Sequence, residues 1–355
     1  MKTKNHMNNI KLELGFMRHN TNLPHKSQEI VDYAIQNNQA YFETCYFYLN
    51  NKCEEFIYSL LTKYDRDAYE LCGKMPVRTI MERHGVKAIF EEQYSRVPGG
   101  YFDIYLLQAI DESSAILLKE QNVIPYLLEQ KKAGKIKRLG ISIQCTPEVF
   151  EQYLKLGCWD IVQMPLNFYD WHCCRGNELY DLAIKYNTPI IAQAPMKGGL
   201  LTKLGCGSSK FAIDFIRSLD NIEYILTGTS NLATYKDVLK CLTDPIEYTD
   251  SEEWLIKLQT YLTSTKINCI QCSRCYDVCE HNVPVMTLFS LYNKCIDLDS
   301  HERICYFNSL DLLKSNLYGQ LELNRCQECK KCNTVCPVGL DIVKILWNDV
   351  WEIRT

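Results

Sequence analysis

The strongest constraint on the fold is a repeated alternation of strand-like and helix-like segments over residues 12–241. The strand candidates are short and nearly continuous apolar runs, as expected for parallel strands that are covered on both faces. They occupy residues 12–16, 40–44, 69–73, 102–109, 136–142, 160–164, 189–194 and 223–228. Helical patterns follow at residues 27–38, 51–62, 78–96, 113–132, 147–156, 177–186, 209–218 and 231–241. Eight strands, each followed by a helix, are the count of a TIM barrel.

We therefore predict an α/β protein whose residues 1–250 form a closed (β/α)8 TIM barrel. An open, doubly wound sheet is the alternative topology. Eight regular repeats favour closure, and the chain has no G-x-G-x-x-G fingerprint after its first strand. In the first helix, Ser27 is the predicted N-cap because it directly precedes an apolar face that includes Ile30 and Val31.

Composition excludes several classes of function. The net charge of −4 and the absence of a basic stripe give no reason to expect a nucleic-acid partner. No apolar run reaches the ~18–20 residues that a membrane helix needs. The first residues carry lysines but lack the apolar segment of a signal peptide. We expect a cytoplasmic protein that acts on a small molecule.

Cysteine is unusually frequent, with 19 in the chain. A disulfide framework is typical of short secreted domains, whereas this chain is long and shows no secretion signal, so reduced thiols and metal sites fit better. The scattered cysteines are predicted to be buried or unreactive thiols. Beyond residue 265 the composition shifts abruptly to cysteine, which predicts a linker helix at 251–264 and an α-helical, ferredoxin-type domain at 265–355.

Two runs in this second domain share the spacing C-x₂-C-x₂-C-x₃-C. Three thiolates around one compact turn can hold three irons of a [4Fe–4S] cube, and in two-cluster ferredoxins the fourth cysteine ligates the other cluster. The first predicted cluster uses Cys269, Cys272, Cys275 and Cys336; the second uses Cys326, Cys329, Cys332 and Cys279. Structural zinc is the alternative, although zinc sites generally pair two shorter C-x₂₋₄-C arms.

Short motifs at the predicted strand ends resemble those of a known family. They are AYFETCYFY, LCGKMP, IYLLQAI, KIKRLGIS, IVQMPLNFY and LTGTSN, in this order along the chain. Together they resemble the aldo/keto reductase family, and they are most similar to its ferredoxin-containing branch, which appends two clusters to the barrel. The resemblance covers residues 12–241 and 265–340. It implies a reduction of carbonyls with NAD(P)H.

The resemblance also implies a set of four catalytic positions. Tyr48 matches the proton donor, and Lys74 matches the lysine that lowers the pKa of that tyrosine. Glu43 stands where the family has an aspartate that orients the lysine. Gln108 replaces the family's histidine. Glutamine can still donate a hydrogen bond to a substrate oxygen, but it cannot titrate near neutral pH.

Further positions match the nucleotide site of the family. The positions that hold the carboxamide are matched by Ser142 and Gln163, and the position beside the nicotinamide ring is matched by Gln193. The phosphate positions are matched by Lys197, Gly228, Thr229 and Ser230. Ile143 replaces the usual asparagine, and Gln193 replaces a tyrosine that many members stack on the ring. Thr234 falls where NADPH-preferring members carry an arginine, which puts a preference for the 2′-phosphate in doubt.

The sequence thus predicts an iron–sulfur oxidoreductase that reduces a carbonyl or related small molecule. Its electrons would come from NAD(P)H, from a redox partner such as a ferredoxin or flavoprotein through the two clusters, or from both. Nicotinamide transfers two electrons as hydride and each cluster exchanges one, and a flavin is the usual mediator, but no motif assigns a flavin. One alternative is an electron-transfer or partner-docking protein on a degenerate barrel. Another is that the clusters are purely structural.

Overall fold

The computed structural model describes residues 10–17, 19–46, 48–77, 85–110, 114–199, 201, 209–247, 253–257, 267–269, 274–281, 283–295 and 326–350. The chain divides into two compact units, Met1–Asp250 and Ser251–Thr355. In the part of the chain that the structure describes, no helix combines the length and the apolar character needed to cross a bilayer.

The first unit is built on eight parallel strands that close into a barrel in chain order. They are β1 (Lys11–Gly15), β2 (Tyr41–Glu43), β3 (Glu70–Met75), β4 (Phe102–Ile110), β5 (Ile136–Ile143), β6 (Ile161–Pro165), β7 (Ile190–Gln193) and β8 (Ile222–Thr227). Closure is made by β1 and β8, where Leu12 lies opposite Ile225. This arrangement confirms the predicted TIM barrel and rules out the open sheet.

Helices cover the outside of the barrel between the strands. They are α1 (Pro24–Gln36), α2 (Tyr48–Asn51), α3 (Cys53–Leu61), α4 (Val86–Tyr94), α5 (Ser114–Glu120), α6 (Val123–Lys132), α7 (Pro147–Leu154), α8 (Phe168–Cys173), α9 (Gly176–Lys185), α10 (Ser209–Arg217) and α11 (Leu232–Thr243). Short 3₁₀ turns lie at Arg66–Ala68, Pro98–Gly100 and Lys197–Gly199. The predicted helices at 51–62 and 113–132 are each broken in two, α8 was not predicted, and residues 78–84 lie outside the described part.

The predicted N-cap of the first helix is wrong. Helix α1 begins at Pro24, and its N-cap position is Leu23. Proline favours the first helical turn because its fixed φ suits the helix and its missing N–H would be unpaired there anyway. Ser27 is instead a buried residue inside the helix, and its Oγ lies 2.8 Å from Nδ1 of His19.

The barrel interior contains an apolar cluster and a separate group of buried polar side chains. One layer is an apolar cluster with two tyrosines, made of Tyr41, Cys72, Ile104, Leu106, Ile161, Ile191, Tyr224 and Leu226. Four further strand residues are charged or amide side chains that are equally buried: Glu13, Glu43, Lys74 and Gln163. A TIM barrel is ordinarily filled by branched apolar side chains. The polar group is therefore the place where this barrel departs from a pure packing core.

The second unit is made of short helices. They are α12 (Arg274–Asp277), α13 (Val285–Cys295), α14 (Lys331–Thr334) and α15 (Ile342–Ile345), which a π-helical turn continues over Leu346–Val350. Its core contains Val283, Leu288 and Phe289, and several cysteines of the two runs pack against it. Residues 253–257 are helical. The ligand candidate Cys272 and residues 296–325 of the predicted helical domain lie outside the described residues.

Candidate active site

A buried ion pair forms the centre of the site in the barrel. Glu43 is the last residue of β2 and Lys74 lies near the end of β3, so both point to the rim where parallel strands end. The Nζ of Lys74 is 2.7 Å from Oε2 of Glu43, and the two side chains are only 2% and 3% exposed. A buried ion pair of this kind is stable only when hydrogen bonds satisfy its remaining polar atoms.

Gln163 and Ser142 supply those hydrogen bonds. Lys74 Nζ donates to Oε1 of Gln163 at 2.8 Å, and the Ser142 hydroxyl donates to the same oxygen at 2.9 Å. Gln163 Nε2 donates in turn to Oε2 of Glu43 at 2.5 Å. The two residues matched to the nicotinamide carboxamide are thus hydrogen-bonded to the buried ion pair. Both lone pairs of the Gln163 oxygen are used, which leaves one amide hydrogen for a ligand.

The electrostatics of Tyr48 differ from the prediction. Burial raises the pKa of the Tyr48 phenol, the Lys74 ammonium lowers it and the Glu43 carboxylate raises it, with a net result well above the usual value. The predicted lowering of this pKa by Lys74 is present but is outweighed. The reason is that Glu43 neutralises the ammonium while burial disfavours the phenolate. Burial also opposes the charge of Lys74, but Glu43 together with Tyr48, Cys72 and Cys45 outweighs burial and raises the pKa of Lys74.

Tyr48 lines a cleft of about 850 Å³, and Glu43 and Gln193 line the same cleft. The cleft continues along the loops after β7 and β8, where Gly228 and Thr229 line it, and reaches Thr234 on α11. Ser230 is exposed next to this loop. A volume of this size falls within the range of small-molecule sites. The structure therefore places the matched tyrosine, carboxylate and phosphate loop around one space.

Two other matched residues have surroundings that the sequence did not indicate. Lys197 forms an ion pair with the buried Asp170, with Nζ 2.5 Å from Oδ1, so its charge is already compensated. Asp170 also accepts a hydrogen bond from Asn167. Gln108 lies on β4, and its buried Oε1 has no hydrogen-bond partner within the described residues.

Two buried ionisable residues near the site were missed. Glu13 lies beside Glu43 and stands between Leu12 and Leu14 of β1; a charged residue between two apolar ones was the signal that could have found it. His19 stacks on Phe16 and its Nε2 lies 3.0 Å from the carbonyl oxygen of Thr229. Burial lowers the pKa of His19 to about 4, against the opposing effect of that hydrogen bond, so it is neutral at pH 7.

In the second unit the cysteines line two small cavities. Cys269, Cys275 and Cys336 line the first, and the second is lined by Cys279 with Cys326, Cys329 and Cys332. Each cavity therefore combines cysteines of both runs. Backbone N–H groups point at the fourth cysteine of each run: Val283 N–H donates to Cys279 Sγ and Leu340 N–H donates to Cys336 Sγ, both at 3.4 Å.

The geometry of the barrel agrees with comparisons to known proteins. Residues 11–255 match the model of the aldo/keto reductase family. The holo form of an aldo-keto reductase from Bacillus halodurans is similar at a TM-score of 0.57 and 21% identity, over 70% of this chain and 91% of that chain. An aldo-keto reductase from Klebsiella pneumoniae, solved in complex with NADPH, is similar at a TM-score of 0.56 and 17% identity, over 71% and 90% of the two chains. No curated protein matches. With a family match over most of its length and a closed parallel barrel beneath it, the chain belongs to the aldo/keto reductase family and is an oxidoreductase.

Proposed function

We propose that this oxidoreductase reduces a carbonyl or related small molecule with NAD(P)H, using Tyr48 as the proton donor. The observation that carries the proposal is the cleft of about 850 Å³ that is lined by Tyr48 and Glu43 together with the loops after β7 and β8. Those two loops are the usual phosphate-binding elements of TIM barrels. The similar protein from Klebsiella pneumoniae was solved in complex with NADPH.

The residues present fit a dinucleotide. Gly199 and Gly228 both line the cleft, and a Cβ added at either would meet no described atom within 4 Å, so a ligand can approach the backbone there. When bound, the nicotinamide would supply a hydride to the carbonyl carbon. Thr229 and Ser230 would hold phosphate, and Gln193 would contact the nicotinamide ring. Because Lys197 is paired with Asp170, we expect it to bind phosphate less strongly than the family match implies.

Tyr48 would act as a neutral acid. Its raised pKa keeps the hydroxyl protonated at working pH, so it can donate to a substrate oxygen while that oxygen gains negative charge. Lys74, held by Glu43 and Gln163, supplies positive charge behind the phenol. Gln108 would donate from its amide nitrogen to the same substrate oxygen, which replaces the polarising role of histidine but not its titration.

We propose further that the chain belongs to the ferredoxin-containing branch and holds two [4Fe–4S] clusters in residues 265–355. The way in which the cysteines are distributed between the two cavities supports this, because it follows the exchange of fourth ligands in two-cluster ferredoxins. Thiolates are the donors that such clusters require, and N–H···S hydrogen bonds are among the contacts that set their potential. The clusters would supply one-electron exchange with a redox partner such as a ferredoxin or flavoprotein.

Electron transfer without hydride chemistry is the second candidate. Two observations favour it. Lys197 is already paired with Asp170, and the Gln163 oxygen already accepts a hydrogen bond from Lys74, so neither group is available to bind a nucleotide. Calorimetry with NADH and NADPH separates the two candidates, because an electron-transfer protein on a degenerate barrel binds neither nucleotide.

Tyr48→Phe tests the role of the proton donor. The substitution removes one hydroxyl, so nucleotide affinity should stay unchanged while aldehyde reduction falls by about 10²–10⁴-fold, the usual contribution of general acid catalysis. Nucleotide binding is followed by calorimetry and turnover by NAD(P)H absorbance. Tyr46→Phe is a matched control on a neighbouring tyrosine. Unchanged turnover in Tyr48→Phe would refute the assignment.

A further inference from the structure

Glu13 is a buried carboxyl group that the proposed catalysis does not use. It lies on β1 with 0% exposure. One of its oxygens, one oxygen of Glu43 and the Sγ of Cys72 all lie within 4.8 Å of one another. Within the described residues no donor reaches either oxygen of Glu13. Its contact with Glu43 can therefore become a hydrogen bond only when one of the two carboxyl groups carries a proton.

A count of the charges around Glu13 shows which of the two carboxyl groups, Glu13 or Glu43, carries the proton. The ionisable side chains that face it are Tyr41 and Glu43 on β2, Glu70, Cys72 and Lys74 on β3, and, beyond Tyr41, Tyr224 on β8. Lys74 is the one cation in that described set, and it lies 2.7 Å from Glu43. Glu70 is not part of this count, because it is about a third exposed and pairs with Lys11 at 2.8 Å. The two buried carboxylates, Glu13 and Glu43, with one ammonium would leave one uncompensated buried charge, which is strongly unfavourable.

Glu43 is the carboxyl group that forms the ion pair with Lys74. It has both the ammonium of Lys74 and the amide hydrogen of Gln163 to stabilise its charge, whereas Glu13 has neither. Burial raises the pKa of Glu13 well above its usual value, the charge of Glu43 raises it further, and Lys74 lowers it only in part. A second cation at this position is not required, since the ammonium already balances Glu43.

We propose that Glu13 is a protonated carboxylic acid at neutral pH and that it holds the titratable proton of the active site, directly beneath the Glu43–Lys74 pair. It is a positioning residue: while it is neutral, Lys74 pairs with Glu43 and faces Tyr48. Once it ionises at alkaline pH, a second negative charge competes for Lys74. The site would thereby titrate through Glu13, although Gln108 has replaced the family's histidine. The effect on catalysis rests on the proposed reductase activity; the protonation itself does not.

The protonation is tested by infrared spectroscopy on the full-length protein without substrate. Wild type near pH 7 should show a protonated-carboxyl band that shifts in D₂O and disappears in Glu13→Gln. Glu54→Gln is the matched control, since Glu54 is also buried but is paired with Arg96 at 2.7 Å, and it should keep the band. If Glu13→Gln does not fold, Glu13→Met takes its place, because it also removes the carboxyl group and has a similar volume, and the band should be lost in it as well. Absence of the band in wild type would overturn the proposal.

Stability gives a second measure with a fixed sign. A carboxyl group whose pKa is raised by folding contributes fully below its unfolded value of 4.5, and this contribution is lost as pH rises towards the folded value. Wild type should therefore lose thermal stability relative to Glu13→Gln as the buffer is taken from mildly acidic to alkaline pH. A constant difference across this range would show that Glu13 does not titrate there.

The catalytic consequence is measured as a pH profile of kcat on a simple aldehyde. Wild type should lose turnover at alkaline pH, whereas Glu13→Gln should keep it with an unchanged KM, because glutamine mimics the protonated acid. If the protein reduces no aldehyde but shows the band, the reductase proposal fails and the protonation stands. If it reduces aldehydes with identical profiles in both proteins, the positioning role of Glu13 is refuted while the reductase stands.

Discussion

In the barrel unit, the polar site lies against an apolar cluster that other residues supply, whereas in the second unit the cysteines are themselves packed into the core. Ile104, Leu106 and Ile191 stabilise the barrel whether or not a nucleotide is bound. Cys269 and Cys336, by contrast, contact the same core as Phe289. The comparison teaches that the two proposed cofactors have different structural importance: the barrel should tolerate the loss of its ligand, and the second unit should not.

Removal of iron is the largest perturbation of this comparison. The thiolates of the second unit come together only in its folded state, so cluster binding and folding should be coupled. The barrel has its own core and should persist. Limited proteolysis of iron-free protein is expected to leave a resistant fragment that ends near residues 250–265. Digestion of the whole chain at one rate, or a resistant second unit without iron, would contradict the comparison.

Exchange of ligands between the two runs is the next largest effect. Wild type should contain about eight iron and eight sulfide, the total of two cubane clusters. Cys336→Ala should lose about half of each, and the lost cluster should be the one of Cys269 and Cys275, which line the same cavity. Iron and sulfide analysis with electron paramagnetic resonance measures this.

Two variants make that result interpretable. Cys241→Ala is the matched control, because Cys241 is a buried cysteine of α11 outside both runs and should leave the metal content unchanged. Cys329→Ala should remove the other cluster, so its remaining resonance signal should be the one that Cys336→Ala lacks. Identical remaining signals would show that the ligands do not exchange, and two zinc ions without sulfide would remove the clusters altogether.

The smallest of these effects concerns the buried ion pair of Glu43 and Lys74 in the barrel. Lys74→Met leaves Glu43 buried without its cation, and breaking a buried pair in this way costs about 3–5 kcal/mol of unfolding free energy. Arg175→Ala breaks an exposed pair with Glu148 and should cost about 0–1 kcal/mol. Denaturant unfolding at pH 7 compares the two, and Lys74→Met combined with Glu43→Gln should recover part of the loss. Equal costs for both single variants would mean that burial does not strengthen the dependence of Glu43 on Lys74.

Local pattern was sufficient for the strands and for the barrel. All eight predicted strands are present because a nearly continuous apolar run can be covered only in a parallel sheet with helices outside it. Helix ends were less predictable. Pro24 starts α1 ahead of Ser27, and α8 begins where Asn167 accepts a hydrogen bond from the N–H of Asp170, a contact that a period of apolar residues does not reveal.

The sequence by itself determined the barrel, the matched positions Tyr48, Lys74 and Glu43, and the prediction of the two cysteine runs, because each depends on residue type and spacing along one strand end or one turn. Only the tertiary structure determined the pKa values and the charge compensation of the residues in the site. The raised pKa of Tyr48, the compensation of Lys197 by Asp170 and the burial of Glu13 beside Glu43 each result from groups on different strands or loops. Electrostatic energy depends on distance and burial in space, which the order of residues does not contain.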